Sequence, residues 1–362
     1  MNKVENKEIY ISDIINKNEY INDSLYNIDI LFFKKSLSER NLNYNVFFIN
    51  QENDDKYTPL MCLIEDNANI KIIKKLIELG ANVNSKNKYG YNILMISCMK
   101  KNYEIVKLLL ENNVLIDDND NDVDDSYDYY DDNLYNKYNF IKNSALILSI
   151  KNLEITTLLI KYNANVNYKN LVGQTALIHA CINNNINIIK LLLENDADIN
   201  IKNNSYNTAM NYLCSSCENP KIIEDFVLLG ANINNVNSFG NTPIYGLCNN
   251  VMDLNDKIKL IKLFISKGCN VNNKNIYGRS IINNAILFPY FSIDIFKLLL
   301  IAGCEYDKNN KIYIEKYKKD IELYLNNKQY LNDFYNFHIE KSSLLFSKMV
   351  LLSDDYLKLK EI

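Results

Sequence analysis

Residues 170–202 read NLVGQTALIHACINNNINIIKLLLENDADINIK, and the same pattern returns along most of the chain. Each copy has a turn, a short apolar segment, a longer segment rich in Leu and Ile, and an ending close to GANVN. The residue that starts this ending is Gly80, Asn113, Asn163, Asp196, Gly230, Gly268 or Gly303. The spacings between these positions are 33, 50, 33, 34, 38 and 35 residues. A period of about 33 residues is typical of repeat proteins, in which each unit packs only on its neighbours.

The residues of this unit predict two helices joined by turns. Gly173 lies in a turn, where freedom to adopt a positive φ is useful. Thr175 precedes an apolar segment and can cap a helix N-terminus, which predicts a short helix over residues 176–183. A second helix with one apolar face is expected from about Ile188, and it ends near Asn195, where other units have Gly.

The other units follow the same plan with two variations. Thr58-Pro59 and Thr242-Pro243 place Pro at the first helical position, where its missing N–H costs nothing. The turn position is usually Gly, but one unit has Tyr206 there, so we expect a less regular turn in that unit.

This arrangement resembles the ankyrin repeat, whose pattern is G-x-T-P-L, a short helix, a longer helix with I/V-x-x-L-L, and G-A-D-V-N. The resemblance covers residues 57–307, about seven repeats, and several columns agree in register. The consensus histidine is missing, because its column holds Met61, Met95, Ile147, Ile178, Asn211, Tyr245 and Asn283. The usual Thr–His hydrogen bond cannot form, so we expect these turns to depend on apolar packing.

The expected fold is all-α: an ankyrin repeat solenoid of about seven helix-turn-helix units with helical caps. Residues 1–56 are expected to form a degenerate N-terminal cap or repeat, with a helix over residues 28–37. Residues 57–307 are expected to form the repeat array, and residues 308–362 a C-terminal helical cap. The alternative for residues 308–362 is a separate effector or partner-binding module.

The 50-residue spacing contains an Asp-rich insertion at residues 117–139. Nine of its first sixteen residues are Asp, which favours an extended, solvated loop. The alternatives are docking to a basic partner and cation binding. Asp120, Asp122 and Asp124 resemble the start of an EF-hand loop, but Asp125 stands where that loop needs Gly. We therefore do not expect specific calcium binding.

The cysteines follow the repeat register instead of a metal-ligand pattern. One column, six residues after the Thr position, holds Cys98, Cys181, Cys214 and Cys248. The other units have Ile in this column, so we expect small, buried apolar side chains. Cys214 and Cys217 have a metal-like spacing, but no second pair completes a zinc site.

No arrangement of residues points to catalysis. His179 shares a column with Cys62, Ile96, Leu148 and Tyr212, which predicts inter-repeat packing, and His338 has no neighbour to orient it. The chain has no G-x-S-x-G, no P-loop and no G-x-G-x-x-G motif. We therefore expect no catalytic residue, no bound metal and no cofactor, and a protein that is not an enzyme.

The resemblance implies a concave binding surface made by the turn tips and the inner face of the first helices. Aromatic and Arg side chains near the tips are the residue types that dominate protein interfaces. The candidate partner-binding residues are Lys88, Tyr89, Tyr91, Val172, Phe239, Ile276, Tyr277 and Arg279. The alternative is that Tyr is simply abundant in this chain, with 27 residues, and that these rings pack along the row of turns.

Charge and hydropathy complete the functional prediction. The net charge is −4, so there is no basic footprint and no nucleic-acid partner is expected. We see no signal peptide and no apolar run long enough for a membrane span, which favours a cytoplasmic monomer. The predicted function is a non-catalytic scaffold or adaptor that binds a partner protein through the concave face. The alternatives are a structural or regulatory subunit with effector activity in the C-terminal segment, a host-directed effector, and a paralogue without a partner.

Overall fold

The computed structural model describes residues 8–10, 34–41, 46–117, 142–282 and 292–305. The contacts within the chain divide it into two units, Met1–Asp198 and Ile199–Ile362. Most of the Asp-rich insertion and all of the predicted C-terminal cap, residues 308–362, lie outside the described residues.

The first unit begins with a short antiparallel strand pair and continues with helix pairs. Strand β1 (Glu8–Tyr10) pairs with β2 (Val46–Phe48), and residues 34–39 between them are helical. The helix pairs are α1 (Pro59–Glu65) with α2 (Ile70–Glu78), α3 (Ile93–Met99) with α4 (Tyr103–Glu111), α5 (Ala145–Ser149) with α6 (Leu153–Lys161), and α7 (Ala176–Ile182) with α8 (Ile186–Glu194). First helices pack on neighbouring first helices and second helices on second helices, as in a repeat stack.

The second unit repeats this arrangement. Its helices are α9 (Ala209–Ser216), α10 (Pro220–Leu228), α11 (Pro243–Asn249), α12 (Leu254–Ser266) and α13 (Ile293–Ile301), and a further helix begins at residues 281–282. Helix α9 packs on α11, and α10 packs on α12. The predicted helix-turn-helix repeats are therefore confirmed in both units, and β1 and β2 are the only named strands among the described residues.

Capping side chains explain where the first helices begin. The hydroxyl of Thr175 accepts a hydrogen bond from the backbone N–H of Ile178 at 3.3 Å, and Thr58 does the same for Met61. The residue two positions after the cap is at most 1% exposed in every repeat that the structure describes. These residues are Leu60, Leu94, Leu146, Leu177, Met210, Ile244 and Ile282. Capping thus orients a fully buried side chain into the core of each repeat.

The column that lacks histidine makes polar contacts at Asn211 and Tyr245, its two described residues in the second unit. The Asn211 side-chain oxygen accepts hydrogen bonds from the backbone N–H and the hydroxyl of Thr208, each at 3.0 Å. It also accepts one from Asn235 in the next repeat at 2.8 Å. The Tyr245 hydroxyl accepts a comparable bond from Asn275 at 3.2 Å. The expectation that these turns depend on apolar packing is wrong for these two repeats, since an amide or a phenol makes the polar link.

Left-handed backbone closes every repeat. The residue that starts the GANVN-like ending has a φ between 57° and 98° at Gly80, Asn113, Asn163, Asp196, Gly230, Gly268 and Gly303. Where Gly is absent, the residue is Asn or Asp, which tolerate this conformation better than other side chains. Tyr206 also has a positive φ, 58°, and its N–H bonds the Asn203 carbonyl at 2.8 Å, as Gly240 bonds Asn237. The expectation of a less regular turn is therefore wrong; Tyr206 adopts the same turn in an unfavourable conformation.

Asparagine side chains link successive repeats. The Asn234 oxygen accepts from the Asn270 backbone N–H at 2.8 Å, and its amide group donates to the Gly268 carbonyl at 3.1 Å. Equivalent links to the next repeat are made by Asn50, Asn84, Asn167, Asn200 and Asn272, and we call these six residues the asparagine ladder. The hydrogen-bond partners of these asparagines lie in the following repeat, so each ladder residue joins two repeats.

Asp117 occupies a ladder position but cannot reproduce the link. One carboxylate oxygen accepts from the Asn165 backbone N–H at 2.7 Å, as a ladder asparagine does. The other oxygen is buried and has no hydrogen-bond partner among the described residues. An ionised carboxylate has no donor for the carbonyl that the amide group bonds elsewhere in the ladder. Burial raises the pKa of Asp117, although the Asn165 hydrogen bond opposes this shift.

We expect Asp117→Asn to stabilise the first unit at neutral pH by about 1 kcal/mol, because it restores the missing donor. The folded pKa of Asp117 lies above the unfolded value, so the wild type should gain stability as pH falls through the folded pKa. The variant should lack this gain. Urea unfolding at neutral and mildly acidic pH measures both effects. Asn167→Asp is the matched control and should destabilise; equal stability of Asp117→Asn and wild type at both pH values would contradict this role.

Two glycines test the packing between turns in the second unit. Gly240 and Gly278 both have positive φ, 76° and 70°. A Cβ on Gly240 would lie 2.8 Å from the Asn275 Cα, whereas a Cβ on Gly278 would meet none of the described residues within 4 Å. We expect Gly278→Ala to cost about 1–2 kcal/mol from backbone strain alone. Gly240→Ala should lower the free energy of unfolding by about 1 kcal/mol more than Gly278→Ala does, because the neighbouring backbone must move. Urea unfolding of both variants measures this difference, and equal losses would refute the close contact.

Candidate functional site

One asparagine holds each hairpin turn of the second unit. The Asn203 side-chain oxygen accepts from the backbone N–H groups of Ser205 at 3.0 Å and Asn207 at 2.9 Å. Asn237 and Asn275 make the same pair of bonds in the next two hairpins. These asparagines lie three residues before the turn position, and their recurrence was a signal that sequence reasoning missed. The backbone of each hairpin is therefore held by hydrogen bonds to an asparagine of the same hairpin, independently of the neighbouring repeats.

Neighbouring hairpin tips in this unit are joined by backbone hydrogen bonds. The Ser238 N–H donates to the Ser205 carbonyl at 3.0 Å, and the Ile276 N–H donates to the Phe239 carbonyl at 3.0 Å. The absence of a side chain at Gly240 permits the second contact. The tips are thus held side by side along one edge of the unit.

The side chains on these tips are large, apolar and exposed. Tyr206 is 58% exposed, Phe239 52%, Ile276 61% and Tyr277 69%, and we call these four residues the tip row. Adjacent exposed side chains of this size are typical of interaction surfaces. Phe239, Ile276 and Tyr277 were predicted from the sequence, whereas Tyr206 was missed as a binding residue because it occupies a turn-glycine position.

Arg279 lies next to the tip row. Its guanidinium carbon is 6.0 Å from the centroid of the Tyr277 ring, within the range of a cation–π contact. The Arg279 backbone N–H donates to Asn275 at 3.0 Å, so the hairpin asparagine also positions this residue. The second unit therefore brings together four of the predicted residues: Phe239, Ile276, Tyr277 and Arg279.

The predicted residues of the first unit are less exposed. Lys88 forms an ion pair with Asp55, which raises the pKa of the lysine, and its amino group is 5.0 Å from the Tyr89 ring centroid. Val172 is 38% exposed. Tyr91 is only 7% exposed and packs within the repeat, so its place in the predicted surface needs correction.

The cysteine side chains are buried and show no sign of activation. All eight are free thiols, and only Cys269 is partly exposed. Burial raises the pKa of Cys62, Cys269 and Cys304 to about 12, which suppresses the reactive thiolate. Burial also lowers the pKa of His179, so its neutral form is favoured. Among the described residues, no group of His, Cys, Asp and Glu side chains is arranged to hold a metal ion.

We expect the native protein to react slowly with a thiol reagent at neutral pH, with Cys269 reacting first. The elevated pKa leaves little thiolate, and the surrounding side chains block access. Absorbance during reaction with an aromatic disulfide reagent, followed by the same measurement in guanidinium, should show all eight thiols only after unfolding. Rapid reaction of several thiols in the native state would contradict this burial.

Comparison with known proteins agrees with the repeat geometry. The sequence model of the family described as "Ankyrin repeats (3 copies)" matches residues 30–122 and 129–203. These residues match the ankyrin repeat family, and the ankyrin repeat fold predicted from the sequence is confirmed. Ankyrin repeats generally mediate protein–protein interaction and are typically non-enzymatic.

The chain is also similar to a solved structure, an ankyrin repeat domain from Acinetobacter baumannii AYE. The two sequences are 21% identical, and the similarity covers 59% of this chain and 98% of the other, with a TM-score of 0.47. None of the curated proteins matches this chain. Within the described parts of the chain, no helix has the length and apolar character needed to cross a membrane.

Proposed function

We propose that this protein is a non-catalytic scaffold or adaptor that binds a partner protein through the tip row. The observation that carries the proposal is the exposure of Tyr206, Phe239, Ile276 and Tyr277 on adjoining hairpins. Burial of such side chains by a partner would remove a large apolar area from water, which is the main source of binding free energy. The interaction needs no cofactor.

The hairpins lower the entropic cost of this binding. Asn237 fixes the backbone on both sides of Phe239, and Asn275 does the same around Tyr277. The Phe239–Ile276 backbone hydrogen bond then holds the two tips together. A surface ordered before binding loses less conformational freedom when the partner arrives. This rigidity supports recognition by a preformed surface.

The proposal includes a cap at the N-terminal end, within residues 1–56. Arg40 bonds the Glu65 carboxylate at 2.8 Å and the Asp66 carboxylate at 3.3 Å, and its guanidinium lies 5.2 Å from the Tyr57 ring centroid. These contacts attach residues 34–41 to the first helix pair. The ankyrin match, which begins at residue 30, supports a degenerate repeat in this segment.

The test compares two double variants of the second unit. Phe239→Ala with Tyr277→Ala removes two rings of the tip row, and Leu228→Ala with Leu229→Ala removes apolar side chains that are 59% and 60% exposed at the end of α10. We expect the variant with Phe239→Ala and Tyr277→Ala to bind a partner protein at least about tenfold more weakly than the wild type. The reason is that an aromatic side chain in an interface often contributes about 1–2 kcal/mol to the binding free energy. The control variant should bind like the wild type.

The measurement is affinity capture from the native cell lysate, followed by titration of the captured protein against each variant. Circular dichroism should show equal helical content in all three proteins. Equal affinity of the tip variant and the wild type would move the binding site away from the tip row. Capture of no protein by the wild type would favour the alternative of a protein without a specific partner.

A further inference from the structure

We propose that the tip row recognises an acidic peptide segment of its partner, an inference that rests on the proposed function. The three hairpins of the second unit, residues 200–208, 234–242 and 272–280, contain no Asp and no Glu. Their charged residues are Lys202, Lys274 and Arg279, and all three are exposed. The hairpin edge is therefore positive, although the chain as a whole has a net charge of −4.

The helices of the same unit show a different charge pattern. Lys221 pairs with Glu224 and with Asp225, each at 3.2 Å, and Lys259 pairs with Asp256 at 3.4 Å. These two helix cations are thus balanced by carboxylates on their own helices. The hairpin edge has cations beside the exposed rings and no Asp or Glu of its own, which gives that edge a preference for anionic groups.

The cations of the hairpins are available to a partner. No ion pair involves Lys202 or Arg279 among the residues that the structure describes. Lys274 lies 3.8 Å from the Glu305 carboxylate, but both side chains are more than half exposed, so water screens this pair strongly. Arg279 is the best placed of the three, because its guanidinium lies beside Tyr277 and can bind a carboxylate through two parallel N–H groups.

The surface combines two kinds of recognition. Phe239, Ile276 and Tyr277 offer apolar contact area, and Arg279 with Lys202 offers charge. A segment in which Asp or Glu residues stand among apolar residues satisfies both, because carboxylates reach the cations while apolar side chains cover the rings. Nucleic acid also combines negative charge with flat apolar groups. Three cations on a chain of negative net charge release few counterions, which favours the peptide over nucleic acid.

The experiment uses the full chain and a fluorescein-labelled peptide in which Asp and Glu alternate with Leu and Ala. A matched peptide carries Asn and Gln in place of the acids. Fluorescence anisotropy measures the dissociation constants at low and moderate salt. We expect the acidic peptide to bind more tightly than the neutral one, and its affinity to fall as salt screens the cations.

The matched protein variants separate the hairpin cations from charge in general. Lys202→Gln with Arg279→Gln should weaken binding of the acidic peptide about tenfold, since charged hydrogen bonds are lost. Lys262→Gln with Lys267→Gln removes two exposed helix and turn cations of the same unit and should leave the affinity unchanged. Equal binding of both peptides, or equal binding by both variants, would overturn the acidic-peptide inference. Tighter binding of a single-stranded oligonucleotide than of the acidic peptide would also overturn it.

The two proposals fail in different ways. The lysate capture with Phe239→Ala and Tyr277→Ala does not depend on the charge of the partner. A captured protein that requires these rings but binds Lys202→Gln with Arg279→Gln at wild-type affinity would contradict the acidic-peptide inference alone. A captured protein that binds the variant with Phe239→Ala and Tyr277→Ala at wild-type affinity would contradict the proposed function itself.

Discussion

The hydrogen bonds of the asparagine ladder are the constraint on which the placement of the repeats depends. A ladder side chain such as Asn234 accepts from a backbone N–H and donates to a backbone carbonyl of the following repeat. A primary amide offers both functions on one rigid plane, so a single side chain sets the distance and the direction of the next repeat. Apolar packing supplies most of the stabilisation, but it has little directionality, and the ladder provides the register that packing alone leaves loose.

Hairpin geometry follows from the same chemistry. Asn203, Asn237 and Asn275 accept two backbone N–H groups each, and the hairpins then meet through their own backbones at Ser205–Ser238 and Phe239–Ile276. The abundance of Asn in this chain therefore has a structural use at these positions, whatever its origin. Asp117 shows why the ladder position needs an amide. Its carboxylate still accepts a backbone N–H, but it has no N–H group to donate to the backbone carbonyl.

Sequence periodicity was sufficient to predict the helix pairs, since caps such as Thr175 and the apolar columns repeat in register. It was also sufficient for the left-handed positions that start the GANVN-like endings, which are Gly, Asn or Asp. It did not reveal that Asn211 and Tyr245 make polar links to the next repeat, or that the partners of Asn200 lie in the next repeat. Those contacts join residues some 24 to 32 positions apart, and a single repeat read alone contains only one side of each bond. Exposure on the tip row likewise depends on how neighbouring hairpins pack.

The tip row has one further consequence. Its backbone is held by amide groups and glycine, and none of its exposed side chains is needed for that framework. The residues that meet a partner can therefore change one by one while the residues that hold them stay constant. Randomising Tyr206, Phe239 and Tyr277 would give a set of different binding surfaces on one unchanged backbone. Natural copies of the gene can diverge at the same positions without loss of the fold.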